Sequence, residues 1–166
     1  MPPSSSRARP EIRSARPDDA DAIEACVAAA FGPWIPVLGT RPAPMLEDYR
    51  AVLFARQVFV AEIGAQLVGV LVLANGADGF MLETVAVHPS VAGKGLGHIL
   101  LALAEREAVA QGHSSITLVT HAKMTRNVAL YERAGYQRVG ERNEGPFARV
   151  YMRKQLGSRD YQGREP

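Results

Sequence analysis

A single cysteine, Cys26, in 166 residues excludes a disulfide framework and a cysteine-ligated metal cluster. The four histidines, at positions 88, 98, 113 and 121, show no HxxxH or HxH spacing, so a histidine metal site has no support either. Long apolar runs are missing. The longest, Leu67 to Ala74, is far short of the ~20 residues that a membrane span takes. Charge of one sign is also missing. A net charge of +2 with no basic stripe argues against a nucleic-acid partner. The first ten residues are polar and proline-rich with no apolar segment, so they read as a tail and not as a signal peptide.

What is present fits one soluble, cytoplasmic domain. Apolar residues make up 47% and charged residues 22%. A chain of this length buries roughly 70% of its unfolded surface, which is enough for a proper core. The expected limits are a tail at 1–10, a domain at 11–156 and a second tail at 157–166.

Local patterns predict the elements in order. Glu11 to Arg16 reads as a strand. Pro17-Asp18-Asp19 opens a helix with Asp18 as N-cap. Ala20, Ile23, Val27, Ala30 and Phe31 follow at helical spacing, with Cys26 on the same apolar side. Gly32-Pro33 is expected to stop this helix. Residues 32–44 hold four prolines and two glycines and read as an irregular loop. A second helix is predicted over Met45 to Ala55. Strands at Val58–Ile63, Leu67–Leu73 and Phe80–Val87 follow, joined by turns at Gly64-Ala65 and Asn75–Gly79. A helix over Gly97–Gln111, a strand at Ile116–Val119 and a helix over Met124–Ala134 come next. Gly135 closes that last helix. Tyr136–Glu141 and Phe147–Met152 form a closing hairpin around Asn143-Glu144-Gly145. Strict alternation places Glu83, Val85 and Val87 on one face of their strand and Thr84 and Ala86 on the other. The fold class is α/β: a mixed, mostly antiparallel sheet of about seven strands with four helices.

The sharpest local feature is a strand, Val85-Ala86-Val87, that runs through a glycine-rich turn into a helix. Gly93, Gly95 and Gly97 alternate, so successive N–H groups can approach a ligand without Cβ interference. The helix N-terminus adds partial positive charge, and Lys94 and His98 stand beside it. No acidic residue occurs from Thr84 to Ala104. These residues read as an anion site; a tight strand-to-helix turn is the simpler alternative. The P-loop pattern is absent, and the Rossmann pattern fails because His98 and Leu100 stand where its last glycine belongs.

Ala92-Gly93-Lys94-Gly95-Leu96-Gly97 resembles the central (Gln/Arg)-x-x-Gly-x-(Gly/Ala) signature of the GCN5-related N-acetyltransferase (GNAT) superfamily. Ala92 replaces the leading Gln or Arg, which leaves the backbone donors in place. A second block, Asn127 to Tyr136, resembles that family's fourth-helix motif ending in Tyr-x-x-x-Gly-(Phe/Tyr). Many members carry an Asn at the position of Met124; here it is Asn127, one turn from Tyr131. Arg149 to Leu156 resembles the family's last strand.

The resemblance implies acetyl-CoA as cofactor and an N-acetyltransferase acting on a primary amine of a small molecule or peptide. The attack is direct, in a ternary complex, with no metal, no nucleic acid and no membrane. It implies a monomer or homodimer. Pyrophosphate would lie on the amides of Gly93 to His98, and the pantetheine arm along Val85 to Val87. Asn127 and Tyr131 would border the cofactor. Tyr131 is the implied acid toward the departing thiolate, with a core tyrosine as the alternative. Glu83 interrupts an apolar strand and is the candidate base, or an exposed residue of the sheet face. His121, just after a strand, is a second base, a substrate contact or a loop residue. Trp34, Asp48 and Tyr49 could wall the acceptor site or simply pack a helix. A non-enzymatic acyl-CoA-binding module on the same fold is the competing function.

Overall fold

Chain patterning and a few backbone irregularities set the sheet. The computed structural model describes residues 8–157. Most of the two expected tails, 1–7 and 158–166, lies outside the described residues. Seven strands run in the order β1-β2-β3-β4-β5-β7-β6. They are β1 (Glu11–Ser14), β2 (Gln57–Ile63), β3 (Gln66–Gly76), β4 (Gly79–Val87), β5 (Ser115–His121), β6 (Gln137–Glu144) and β7 (Phe147–Gln155). Among the described residues, only β4 and β5 pair in parallel. Their connection is the helix α4 (Leu96–Ala110), as a parallel pair requires. The other helices are α1 (Ala20–Phe31), a single turn α2 (Ile35–Leu38), α3 (Tyr49–Ala55) and α5 (Thr125–Arg133). The mixed sheet of seven strands agrees with the expectation from sequence.

Two cores lie on the two faces of this sheet. On one, α4 buries Leu96, Leu100, Leu101, Ala104 and Ala108 against β3, β4 and β5. Each such leucine contributes about 1.5–3 kcal/mol. Gly69 makes the close seat possible. A Cβ there would meet Ala61 Cβ at 3.1 Å and Leu96 Cδ2 at 3.1 Å. On the other face, Ile23, Cys26, Val27 and Phe31 of α1 cover Val60, Val70, Val72 and Ala86. Burial pushes the Cys26 thiol up to about 11, so it is a packing residue and not a nucleophile. The helical run Pro17–Leu38 is long and apolar enough to match a membrane span by composition alone. It is a chain of separate helical pieces, and its α1 stripe packs on the sheet.

Three departures from expectation shape the first third of the chain, while β3 also runs on to Gly76, into the expected turn. Asp18 is exposed and caps nothing, and Asp19 is the anchor in its place. Its carboxylate accepts from Arg16 N–H at 2.6 Å and from both terminal nitrogens of Arg13 at 2.8 and 2.9 Å. Arg13 also pairs with Glu62 of β2, which ties α1 to the sheet edge. The segment 32–44 is not irregular. It holds a 3-10 turn at Gly32–Trp34, then α2, then a 3-10 turn that begins at Ala43. Pro33 and Pro36 sit in first turns, where a missing N–H costs nothing. The helix expected from Met45 begins at Tyr49, because Asp48 is extended and its carboxylate accepts from Arg50 N–H at 3.1 Å.

The Arg13 guanidinium holds the Asp19 carboxyl down to about 2, against a usual ~3.9. A depressed carboxylate stabilises the fold above its unfolded pKa, and that contribution disappears as pH falls through the folded value. Asp19→Asn should therefore cost roughly 2 kcal/mol at pH 7 and flatten the stability profile between about pH 4 and 2. Urea unfolding across that range measures both. An unchanged acid profile would mean that Arg13 is satisfied by Glu62 alone.

Candidate active site

The β4–β5 ladder holds only at its foot. Phe80, Met81 and Leu82 pair with Ile116, Thr117 and Leu118. Beyond Leu82 the strands part, although β5 stays paired with β7 as far as His121 opposite Arg149. The parting coincides with a bulge. Val72 of β3 faces Thr84 and Leu73 faces Leu82, so Glu83 is the extra residue. The bulge also changes which way the strand faces. Phe80 and Leu82 belong to the α4 core, yet so do Val85 and Val87, while Ala86 joins the α1 core. The expected common face of Glu83, Val85 and Val87 is therefore corrected. An inserted residue shifts the period-two alternation, and Glu83 and Thr84 together oppose Val72.

A cleft of about 550 Å³, mouth included, fills the gap. Glu83, Thr84 and Val85 line one side and Val119, Thr120 and His121 the other. Asn127 and Tyr131 reach it from α5, one turn apart. The same two residues line a second recess beside Val85, Ala86, Val87 and Gly97. Tyr131 is buried, and its ring meets that of Tyr136 edge-on with centroids 6.0 Å apart. Burial pushes its phenol above the ordinary value, so the hydroxyl is protonated at neutral pH.

Backbone donors complete the second recess. His88 N–H bonds to Val68 O at 2.8 Å. Antiparallel ladders alternate, so Ala86 also turns its N–H and C=O to β3. Val85 and Val87 then present theirs to the open side, where β5 has departed. Gly93 and Gly95 have φ of 74° and 88°, the left-handed region that a side chain disfavours. Gly95 is the cap of α4, and no acid lies in that helix's first turn. The first bond back into α4 is Ile99 N–H to Gly95 O, so the amides of Leu96, Gly97 and His98 have no helical acceptor. Ala92, Lys94 and His98 are exposed, and nothing stands within 4 Å of a Cβ at Gly93 or Gly95. The Leu96 side chain itself is in the core.

A model of the acetyltransferase (GNAT) family matches residues 23–136. The chain belongs to the GNAT family. No curated protein matches it. Solved structures share the fold. One is the PaiA N-acetyltransferase of Thermoplasma acidophilum in complex with coenzyme A, at TM-score 0.75 and 18% identity over 89% of this chain and 99% of that one. The ribosomal-protein-S18-alanine N-acetyltransferase of Escherichia coli gives 0.71 and 17% over 91% and 98%. An acetyltransferase of Thermus thermophilus gives 0.67 and 20% over 89% and 97%.

Within this GNAT chain the remaining candidates other than Asp48 line the cleft or a recess that adjoins it. Glu83 lines the cleft with its Oε1 accepting from Arg56 Nε at 2.9 Å. His121 is the buried last residue of β5, not a loop residue. Its Nδ1 accepts from Lys123 N–H at 3.1 Å, and Ala148 N–H approaches Nε2 at 3.3 Å. Trp34 borders the second recess, half-buried. Tyr49 is buried with its hydroxyl donating to Pro44 O at 2.6 Å, and Asp48 caps α3 and is exposed. Asp48 thus caps α3, and Tyr49 packs α3 while lining the recess beside Glu83. The sequence reading missed Arg56 and Arg149, which line the recess next to Glu83. Neither carries a local motif, since they meet only when the end of α3 and the start of β7 converge on β4.

Proposed function

We propose that this GNAT protein is an acetyl-CoA-dependent N-acetyltransferase that acetylates a primary amine by direct attack in a ternary complex. What carries the proposal is the split after Leu82. It leaves a strand edge at Val85 and Val87 beside the free amides of an acid-free helix terminus. That arrangement fits the cofactor chemically. An amide-bearing arm can add to the open edge as a strand would. The amides of Gly93, Lys94, Gly95, Leu96, Gly97 and His98 suit a pyrophosphate, with Ala92 leading into them. Asn127 and Tyr131 would border the arm where it meets the cleft.

Acetyl-CoA, when bound, supplies an acetyl group activated as a thioester, whose C–S bond breaks as the acceptor's C–N bond forms. Glu83 accepts the proton that the ammonium must lose before its nitrogen can attack, directly or through water. Arg56 holds that carboxylate at its Oε1. A backbone N–H at the bulge, near Val85, is the candidate donor to the thioester oxygen. Tyr131 donates toward the leaving sulfur. A thiol's reference pKa of ~8.5 lies below the phenol's ~10, so complete transfer is uphill and the hydroxyl acts mainly through its hydrogen bond.

The test is thiol release from acetyl-CoA over a broad panel of primary amines. Glu83→Gln should lower kcat/KM for the amine by about 10²-fold with acetyl-CoA affinity little changed. Saturable CoA binding without turnover on any amine would instead fit an acyl-CoA-binding module.

A further inference from the structure

We infer that the acceptor is a zwitterionic α-amino acid with an apolar side chain, its carboxylate bound by Arg149; this rests on the acetyltransferase reading. The bulge leaves Glu83 on the α1 face of the sheet, where it lines a recess with Tyr49 and Val52 of α3. Val150 and Met152 belong to the α4 core, so alternation along β7 turns Arg149 to that same α1 face. Both side chains line the cleft and the recess that adjoins it.

Arg149 is built to receive an anion. Its guanidinium carbon lies 5.1 Å from the centroid of the Phe147 ring, which steadies the planar group. Glu144 forms an ion pair with Nε at 2.8 Å, in a geometry that makes no hydrogen bond among the described residues. A guanidinium has five N–H donors in a fork that matches a carboxylate. Glu83 lines the same space as the group toward which an ammonium would turn.

Charge balance narrows the class further. Among the described residues, the carboxylates and guanidiniums that line the two recesses are Glu47, Glu83, Arg56 and Arg149. Two of each sign suit a molecule that carries both charges. Phe31, Leu38, Pro42, Val119 and Phe147 supply apolar wall for a side chain.

Calorimetry with CoA present, in the wild type and in Arg149→Gln, tests this without needing turnover. L-Phenylalanine and L-leucine should bind the wild type at least about tenfold tighter than their amides or than 1,4-diaminobutane. Arg149→Gln should close that gap by weakening the acids and not the amides. Equal or tighter binding of the amides or the diamine, or no binding by any apolar amino acid, would overturn the inference. The two readings fail differently. Acids that bind through Arg149 but release no thiol from acetyl-CoA would sink the transferase reading and leave only the amino-acid site at Arg149. Thiol release with amides and diamines but not with acids would do the reverse.

Discussion

Tyr131→Phe is expected to lower kcat for thiol release by about 10²-fold or more while leaving KM for acetyl-CoA within a few-fold. The ring stays, so its edge-on contact with Tyr136 and its place in the core are kept. Only the hydroxyl is removed. A hydrogen bond to sulfur gains strength as charge develops there, so its loss appears in kcat and not in ground-state binding. The pH profile adds an independent reading. Because burial holds the phenol above its ordinary value, the wild type should show no loss of rate from Tyr131 below about pH 10. An unchanged kcat in the variant would reduce Tyr131 to a packing residue, and the acid role would pass to water or to another donor at the cleft.

Phe80→Ala should cost about 3–5 kcal/mol, measured as a shift of the urea midpoint at constant m-value. This is a large share of the ~5–15 kcal/mol that a domain of this kind has in total. Phe80 is 1% exposed and sits where three strands are still zipped, opposite Asn75 on β3 and Ile116 on β5. The His113 ring lies 5.4 Å from its own. Two residues further along, the sheet begins to open. The foot of the split therefore has to hold β4 and β5 together with only three paired positions. A cavity there loosens the one place that keeps the cleft walls in register. A cost under about 1 kcal/mol would show that α4 alone sets the β4–β5 spacing.

The elements that the sequence made legible are those with local causes. The helix over α4 follows from leucines at helical spacing, and its entry from the alternating glycines at 93, 95 and 97. The positive φ of Gly93 and Gly95 is what those glycines are there to allow. Gly135, with φ of 98°, ends α5 where its residue type said it should. Tyr131 and Asn127 could be paired in advance because they lie one turn apart on one helix. The resemblance to the GNAT family was carried by such local blocks.

What escaped depends on where folding places a partner, whether that partner is near or far in the chain. A bulge is a mismatch between two strands, and neither strand's sequence reports it; Glu83 looked like one more alternating residue until Val72 was set against Thr84. Asp19 replaced Asp18 as the anchoring acid because Arg13, on the neighbouring strand, reaches it. Tyr49 lines the recess beside Glu83, but its hydroxyl is held by the Pro44 carbonyl, a partner that residue type alone did not reveal.

By itself the sequence determined the fold class, the anion-ready helix terminus and the helix that bears Tyr131, because hydrophobic period, glycine geometry and caps act over a few residues. Only the tertiary structure decided where the sheet opens, which face Glu83 takes and which arginines stand beside it. Those depend on strand register and on the convergence of α3, β4 and β7, contacts between residues far apart in the chain that no short window contains.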